Sequence, residues 1–360
     1  MWIDRRYLDL VGITCPIIQA PMAGANGAQL AVAVSRAGGL GSLPCGMLSP
    51  AEARAELDAI RQQTAQPFNA NFFCHTMPDP DPARESRWRD RLAPYYAELG
   101  LEAEPPKPAA RRAPFDEKMC ALLVELRPRV VSFHYGLPQP GWLAELKAAG
   151  LIIQSSATTV EEARWLEAHG ADAIIAQGLE AGGHRGTFLG TELAAQVGTF
   201  ALVPQIVDAV RAPVIAAGGI ADARGIVAAL ALGASAVQIG TGYLLSPESK
   251  ISPAYRAALR SAGDASTVLT NVFSGRPARS LVNRLLRELG PISAEAPPFP
   301  LAAAGTQPLR SKAEALGSLD FSPLLAGQAA PLARALGAGE LTEALATRAQ
   351  DLLRRLGGTA

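Results

Sequence analysis

The feature that most constrains this chain is an eightfold alternation of short apolar runs with amphipathic, helix-like segments. The runs that we predict as strands are residues 16–22, 40–44, 68–73, 130–135, 151–156, 173–177, 213–217 and 236–240. Several are apolar throughout, which is typical of strands covered on both faces in a parallel sheet. Eight strand–helix units make one (β/α)8 TIM barrel, a fold of about 250 residues. The sequence therefore predicts an α/β protein built on such a barrel.

The segments between the strands carry helix signals at both ends. The stretch Thr158-Thr159-Val160-Glu161-Glu162 offers a Thr-x-x-Glu capping box that predicts a helix start after the fifth strand, and Gly170 predicts the end of that helix. After the seventh strand, Asp222 predicts another cap, and Gly233 ends that helix. These signals support helices, rather than loops, between the strands.

Two regions of the 360-residue chain do not fit this repeat. Residues 76–115 contain eight prolines and no predicted strand, and the alternation stops near residue 265. An insertion of this length is more typical of a lid than of a simple connection. We predict that residues 1–75 and 116–264 form a barrel that binds the cofactor. Residues 76–115 and 265–360 would form a smaller, mostly helical second domain over the barrel mouth.

The charge and the cysteine content of the chain limit the partners, the metal sites and the cell compartment that we expect. Lys and Arg together number 33, as do Asp and Glu, so no nucleic acid or anionic membrane is expected as a partner. The first ten residues lack the apolar stretch of a signal peptide, and no run of about 18 apolar residues predicts a membrane span. The four cysteines lack metal-ligand spacing, so we expect reduced thiols, no metal site and a cytoplasmic protein.

Glycines mark the ends of the seventh and eighth predicted strands, in Ala217-Gly218-Gly219-Ile220 and Gln238-Ile239-Gly240-Thr241-Gly242. In TIM barrels the active site lies at the carboxyl ends of the strands, and a phosphate site after strands seven and eight recurs. Bare glycine backbone lets N–H groups approach a phosphate closely. Tight turns are the structural alternative, but two glycine pairs at these two positions favour a phosphate site.

The sixth predicted strand leads into the loop 178–186, in which small residues surround His184. Histidine changes protonation state near neutral pH, so it suits proton transfer or hydrogen bonding to a substrate anion. We predict His184 as the catalytic residue, with a surface histidine as the structural alternative. Glu180 and Arg185 flank His184 and are expected to be solvated.

Polar side chains at other strand ends are further candidates for the site. Asn71 and Gln177 could hydrogen-bond the edge of a heteroaromatic ring, or they could be structural amides that tie strand ends together. His134, at the end of the fourth strand, is a candidate for substrate binding or a structural histidine.

Seven blocks, in this order along the chain, resemble the nitronate monooxygenase family, formerly called 2-nitropropane dioxygenases. The blocks are residues 19–22, 71–75, 133–136, 176–178, 180–186, 217–219 and 238–241. The most specific is Glu-Ala-Gly-Gly-His-Arg-Gly at 180–186. The resemblance covers most of residues 10–280 and returns at 321–328.

The resemblance implies tightly bound FMN and oxidation of alkyl nitronates by O₂ to a carbonyl compound and nitrite. His184 would be the catalytic histidine, either binding the anionic nitronate or acting as a base on a neutral nitroalkane. The residues that would contact FMN are Ala20, Met22, Asn71, Gln177, Gly182, Gly218, Gly219, Gln238, Ile239, Gly240 and Thr241. The expected partners are thus a nitronate or nitroalkane and O₂, and a homodimer is left open.

The C-terminal pocket segment departs from the family pattern. Better-studied members carry tyrosines and a lysine there, whereas residues 297–308 offer Phe299 and Gln307, with no lysine before Lys312. We predict Phe299, Gln307 and His134 as substrate-binding residues of a less polar pocket. Such a pocket would favour a more apolar nitronate over the doubly anionic propionate 3-nitronate.

Two other functions stay open at this point. FMN-dependent NAD(P)H reductases, acting on enoyl-acyl-carrier protein or on quinones, resemble the same barrel and Gly-Gly-His loop. A flavin- or phosphate-binding module without oxidase chemistry would also keep the fold while its pocket changed.

Overall fold

The structure is a computed structural model that describes residues 2–102 and 112–357. Its strands are β1 (Ile17–Gln19), β2 (Gly41–Pro44), β3 (Phe68–Phe73), β4 (Val130–His134), β5 (Ile152–Ala157), β6 (Ala173–Gln177), β7 (Gly183–His184), β8 (Val214–Ala217), β9 (Ala236–Ile239), β10 (Thr267–Thr270) and β11 (Ala278–Leu281). Its helices are α1 (Arg6–Val11), α2 (Ala28–Arg36), α3 (Pro50–Gln63), α4 (Pro82–Glu98), α5 (Glu117–Leu126), α6 (Pro140–Ala148), α7 (Val160–Ala168), α8 (Thr199–Val207), α9 (Ala223–Ala231), α10 (Pro253–Arg260), α11 (Arg284–Leu289), α12 (Ala302–Ala315) and α13 (Ala338–Leu356).

Eight parallel strands form the barrel in the order β1-β9-β8-β6-β5-β4-β3-β2. A parallel bridge between Ile18 and Leu40 joins the first and last strands of this order and closes the sheet. The strands are buried almost throughout because helices cover their outer faces. The prediction of a TIM barrel is confirmed, and each of the eight predicted strands overlaps an observed one.

Local sequence signals explain where the barrel helices begin. The side chain of Thr159 accepts a hydrogen bond from the Glu162 amide at the start of α7. Asp222 accepts hydrogen bonds from the amides of Arg224 and Gly225 at the start of α9. Both predicted caps are confirmed, and each satisfies backbone donors that a helix start leaves unpaired.

A second apolar cluster lies outside the barrel and joins two distant parts of the chain. It packs α4 of the 76–115 insertion against α12 and the residues around β10, and it includes Trp88, Leu92, Phe273, Leu309 and Phe321. Beside this cluster, β10 and β11 pair in an antiparallel hairpin, and β11 also pairs with β7. No strand was predicted after residue 265, because four-residue strands such as Thr267–Thr270 are too short to show periodicity.

The last helix corrects the predicted domain boundary. We predicted residues 265–360 as part of the second domain, but α13 packs on α2 and α9 of the barrel. Its Leu341, Leu345 and Ala349 belong to the barrel core. The strands next to this position, β1 and β9, need a covering helix between α2 and α9, and α13 supplies it. In addition to α4, the second domain thus comprises only residues between β9 and α13.

Within residues 2–102 and 112–357, no helix is both long and apolar enough to span a lipid bilayer.

Candidate active site

A cavity of about 510 Å³ opens at the carboxyl ends of the barrel strands and extends beneath the second domain. This volume lies in the usual range for a small-molecule site. The predicted residues that line the cavity are Ala20, Met22, Asn71, His134, Gln177, Gly182, His184, Gly218, Gly219, Gln238, Gly240, Thr241 and Phe299. The structure therefore brings together residues from strands spread along more than 200 positions of sequence.

Two predicted site residues lie elsewhere. Ile239 is in the barrel core and is 1% exposed, because consecutive strand residues face opposite sides of the sheet and Gln238 takes the cavity side. Gln307 lies on the exposed face of α12, where its amide donates to Ser311 at 3.2 Å. The helical period turns Gln307 towards solvent, so the structure does not place it among the residues that line the cavity.

The glycine turns after β8 and β9 form a cradle of free backbone donors. Within the described residues, the N–H groups of Gly218, Gly219, Gly240 and Thr241 donate to no protein acceptor. Gly218 and Gly219 have φ angles of +115° and +70°, which residues with a Cβ rarely adopt. Unpaired N–H groups at a cavity wall suit an anionic ligand such as a phosphate.

Three amide side chains surround the deeper part of the cavity, and their hydrogen bonds differ. Gln177 donates to the His184 carbonyl at 2.9 Å and accepts from the Gly186 amide at 2.8 Å, so it ties the histidine loop to β6. Asn71 donates to the Ser132 hydroxyl at 2.9 Å. The buried Oε1 of Gln238 has no partner among the described residues, so it is available to a ligand donor.

His184 is held in the cavity wall by the second domain. The residue lies on β7, which pairs with β11 so that His184 faces Ala278 and Gly183 faces Arg279. Its Nε2 lies 2.8 Å from the Ser274 hydroxyl. Burial first, and then the positive charge of Arg112, hold the pKa of His184 well below its ordinary value. His184 is therefore a neutral imidazole at physiological pH.

The loop after β6 is anchored from beneath by Arg185, which corrects the expectation of a solvated side chain. Arg185 is fully buried and donates to the carbonyl oxygens of Gly178, at 2.6 Å, and Gln177, at 2.7 Å. It also donates to the side chain of Gln196 at 2.9 Å. Glu180 accepts from the Thr199 amide at 2.8 Å, so it too has a structural contact.

Two arginines near His184 were missed by sequence reasoning. Arg112 also lines the cavity, and its guanidinium lies 5.8 Å from the centre of the Phe299 ring. Arg276 stacks on Tyr135 at 3.9 Å and donates to the Thr187 carbonyl. Neither arginine directly follows a barrel strand. The local sequence therefore gives no signal that either one lies at the mouth of the barrel. The wall around His184 therefore includes the guanidinium group of Arg112, and Arg276 acts on the histidine electrostatically.

Aromatic rings form the rest of the wall around His184. Phe299 contacts the His184 ring edge to face at a centroid distance of 5.4 Å, and it contacts His75 at 4.8 Å. Burial, followed by the charge of Arg276, lowers the pKa of His134 to about 3 and that of His75 to about 4. All three histidines are thus neutral, and the positive charge beside the cavity belongs to the arginines.

The sequence profile of the nitronate monooxygenase family matches residues 5–348. The chain belongs to the nitronate monooxygenase family. A nitronate monooxygenase from Pseudomonas aeruginosa is 46% identical over 344 residues, which cover 94% of this chain and 97% of that protein.

Solved structures agree with this assignment. A nitroalkane oxidase from Streptomyces ansochromogenes superposes with a TM-score of 0.88 at 41% identity, over 98% of this chain and 99% of its own. FabK from Thermotoga maritima superposes with a TM-score of 0.74 at 31% identity, over 99% of both chains. The nitronate monooxygenase family consists of flavin-dependent oxidoreductases.

The residues present fit a flavin that carries a phosphate group. The free N–H groups of the glycine cradle match a phosphate, and the unpaired Gln238 oxygen matches an N–H on the edge of a ring. A Cβ on Gly240 would lie 3.5 Å from the Ala20 Cβ and 3.7 Å from the Met22 sulfur, so these three residues form a close-fitting wall.

Proposed function

We propose that this protein binds FMN across the carboxyl ends of its barrel strands and oxidises alkyl nitronates with O₂ to a carbonyl compound and nitrite. The observation that carries the proposal is that His184 and Arg112 line the same cavity as the free backbone N–H groups of the glycine cradle. Bound FMN would accept electrons from the substrate and deliver them to O₂.

The chain's own residues would have distinct roles. Gly218, Gly219, Gly240 and Thr241 would hold the phosphate through backbone N–H groups. Asn71 and Gln238 would contact the ring system from the strand ends, while Gln177 orients the histidine loop.

The substrate side of the cavity favours an anion. His184 offers a ring nitrogen, and Arg112 lies within electrostatic reach of it. Arg276 adds a second positive charge. Phe299 and the neighbouring rings exclude water around these charges, which strengthens their attraction for a nitronate.

The test is the visible spectrum of the purified protein under anaerobic conditions. We expect a flavin spectrum that bleaches on mixing with an alkyl nitronate and recovers when O₂ is admitted, with release of nitrite. Bleaching by NADH or NADPH but not by nitronate would instead make the protein a reductase, a result that the likeness to FabK makes worth measuring. A protein that binds flavin but responds to neither donor would be a binding module.

A further inference from the structure

Ser274 lies in the turn between β10 and β11 of the second domain and is 3% exposed. Its hydroxyl is the hydrogen-bond partner of His184 Nε2, at 2.8 Å. The other ring nitrogen, Nδ1, has no partner within residues 2–102 and 112–357, and His184 lines the cavity. Nδ1 is therefore the nitrogen available to a ligand.

A hydroxyl can donate only one hydrogen bond, so the distances from the Ser274 oxygen to its neighbours indicate which acceptor receives it. Besides His184 Nε2, the oxygen lies 3.3 Å from the Arg276 carbonyl and 3.4 Å from the Arg276 amide nitrogen. The contact of 2.8 Å is a normal O–H hydrogen bond, whereas 3.3 Å to a carbonyl is longer than such bonds usually are. The arrangement favours donation from Ser274 to His184 Nε2.

We propose that Ser274 is a positioning residue that keeps the single ring proton of His184 on Nδ1, the nitrogen facing the cavity. A neutral imidazole has one N–H and one acceptor nitrogen, and the bond at one nitrogen sets the state of the other. With Nε2 accepting from Ser274, Nδ1 becomes a hydrogen-bond donor.

This inference rests on the proposed function and narrows it. A donor at Nδ1 binds a nitronate that is already anionic, but it cannot remove a proton from a neutral nitroalkane. The charged and titratable groups that face His184 are Arg112, Arg276, His75 and His134, and the arginines oppose a second proton on the ring. The histidine would therefore serve nitronate binding rather than base catalysis.

The direct test is nitrogen NMR of the FMN-loaded enzyme with ¹⁵N-labelled histidine. The chain has four histidines, so the His184 signals can be assigned by comparison with His184→Ala. We expect Nδ1 of His184 to be protonated in the unmodified enzyme. In Ser274→Ala the donor to Nε2 is lost, and we expect the proton to move to Nε2.

Two further variants separate tautomer control from general packing. Ser274→Thr keeps the hydroxyl and should keep the proton on Nδ1. Ser156→Ala is a matched control, because Ser156 contacts His134 Nδ1 at 3.1 Å and should change the His134 signals but not those of His184. Protonated Nε2 in the unmodified enzyme, or the same tautomer in Ser274→Ala, would overturn the proposal.

Kinetics give a second readout. In Ser274→Ala we expect the ratio of kcat/KM for a nitronate to kcat/KM for its parent nitroalkane to fall at least about tenfold, the effect of losing one oriented hydrogen bond. An equal loss for both substrates would show a structural role only. If the unmodified enzyme turns over neither substrate, the proposed function fails, while the NMR result still decides the role of Ser274.

Discussion

The two walls of the active-site cavity are built in different ways. The wall after β8 and β9 presents bare backbone, and its donors are the N–H groups of glycines and Thr241. The wall around His184 presents side chains, and Ser274 and Phe299 in it come from the second domain. A backbone cradle needs only small residues at fixed strand ends, whereas a side-chain wall depends on which residues distant segments bring together.

This contrast between the two walls indicates which of their residues can be substituted. The cradle would recognise a group common to many cofactors, and its Gly218 and Gly219 tolerate little change because their positive φ angles require glycine. The side-chain wall would contact the substrate under the proposed function, and its residues from the second domain can change without disturbing the barrel. Substitutions that disrupt the backbone wall should abolish cofactor binding. Substitutions in the side-chain wall should change turnover or substrate affinity while the cofactor stays bound.

The largest effect is expected from His184→Ala, which removes the ring that faces the substrate. We expect kcat/KM for nitronate to fall about 10²–10⁴-fold, the usual contribution of a positioned group of this kind. FMN should stay bound because the cradle is untouched, as the flavin absorbance per protein would show. His169→Ala, on an exposed histidine, is the control and should behave as the unmodified enzyme. Unchanged turnover in His184→Ala would remove the histidine from the mechanism.

The next largest effect concerns the backbone wall. Gly240 has a φ of −104°, so valine is allowed there by the backbone, but its methyl groups would enter the cavity beside Ala20 and Met22. Overpacking of this kind costs about 1–3 kcal/mol, so we expect FMN affinity to fall about 10–100-fold. Fluorescence titration of the apoprotein with FMN measures this affinity.

Gly141→Val is the matched control for Gly240→Val, because a Cβ at Gly141 meets no atom within 4 Å. Equal FMN affinity in both variants would argue against Gly240 being part of the wall that binds FMN.

A smaller effect is expected from Arg112→Gln, which removes one positive charge from the side-chain wall. We expect KM for an anionic nitronate to rise about tenfold with kcat little changed, since the charge attracts the substrate without touching the reacting bond. Arg310→Gln is the comparison, because Arg310 is 39% exposed and paired with Glu314, where charges act weakly. A larger KM change in Arg310→Gln than in Arg112→Gln would relocate the anion site to the cavity mouth.

The smallest effect concerns stability against pH. Burial lowers the pKa of His134 from 6.5 to about 3, so between these values the unfolded chain binds the extra proton and the folded one does not. The free energy of unfolding should therefore fall as pH drops below about 6.5, by at most about 1.4 kcal/mol per pH unit from this residue. Urea unfolding at fixed excess FMN should show a shallower pH dependence for His134→Gln than for the unmodified enzyme. Parallel pH dependences would contradict the burial of an uncharged His134.

Much of the fold and of the backbone wall follows from the sequence. The buried strands carry continuous apolar runs, and β3 and β6 begin and end where the sequence predicts them. The glycines at 218, 219 and 240 are informative because only backbone conformation and strand position determine their role. His184 could be predicted for the same reason, since its loop follows a barrel strand whose end is always at the mouth.

Three residues of the side-chain wall, Arg112, Ser274 and Arg276, could not be predicted, because they lie far from the strand ends in sequence. Arg112 precedes a barrel helix, and Ser274 and Arg276 lie in a turn of the second domain. Nothing in their neighbours marks them as site residues. Gln307 is the opposite case. It lies in the segment that was predicted to border the pocket, but its helix turns it towards solvent.

The sequence by itself determined the barrel, the glycine turns of the cradle and the position of the histidine, since periodicity and strand ends are local properties of a chain. The tertiary structure alone decided that β11 pairs with β7, that Ser274 contacts His184 and that Arg112 and Arg276 lie within electrostatic reach of that histidine. It also placed α13 in the ring of barrel helices. Those arrangements depend on how distant segments pack, and packing selects residues by the space and the partners they meet rather than by their neighbours in sequence.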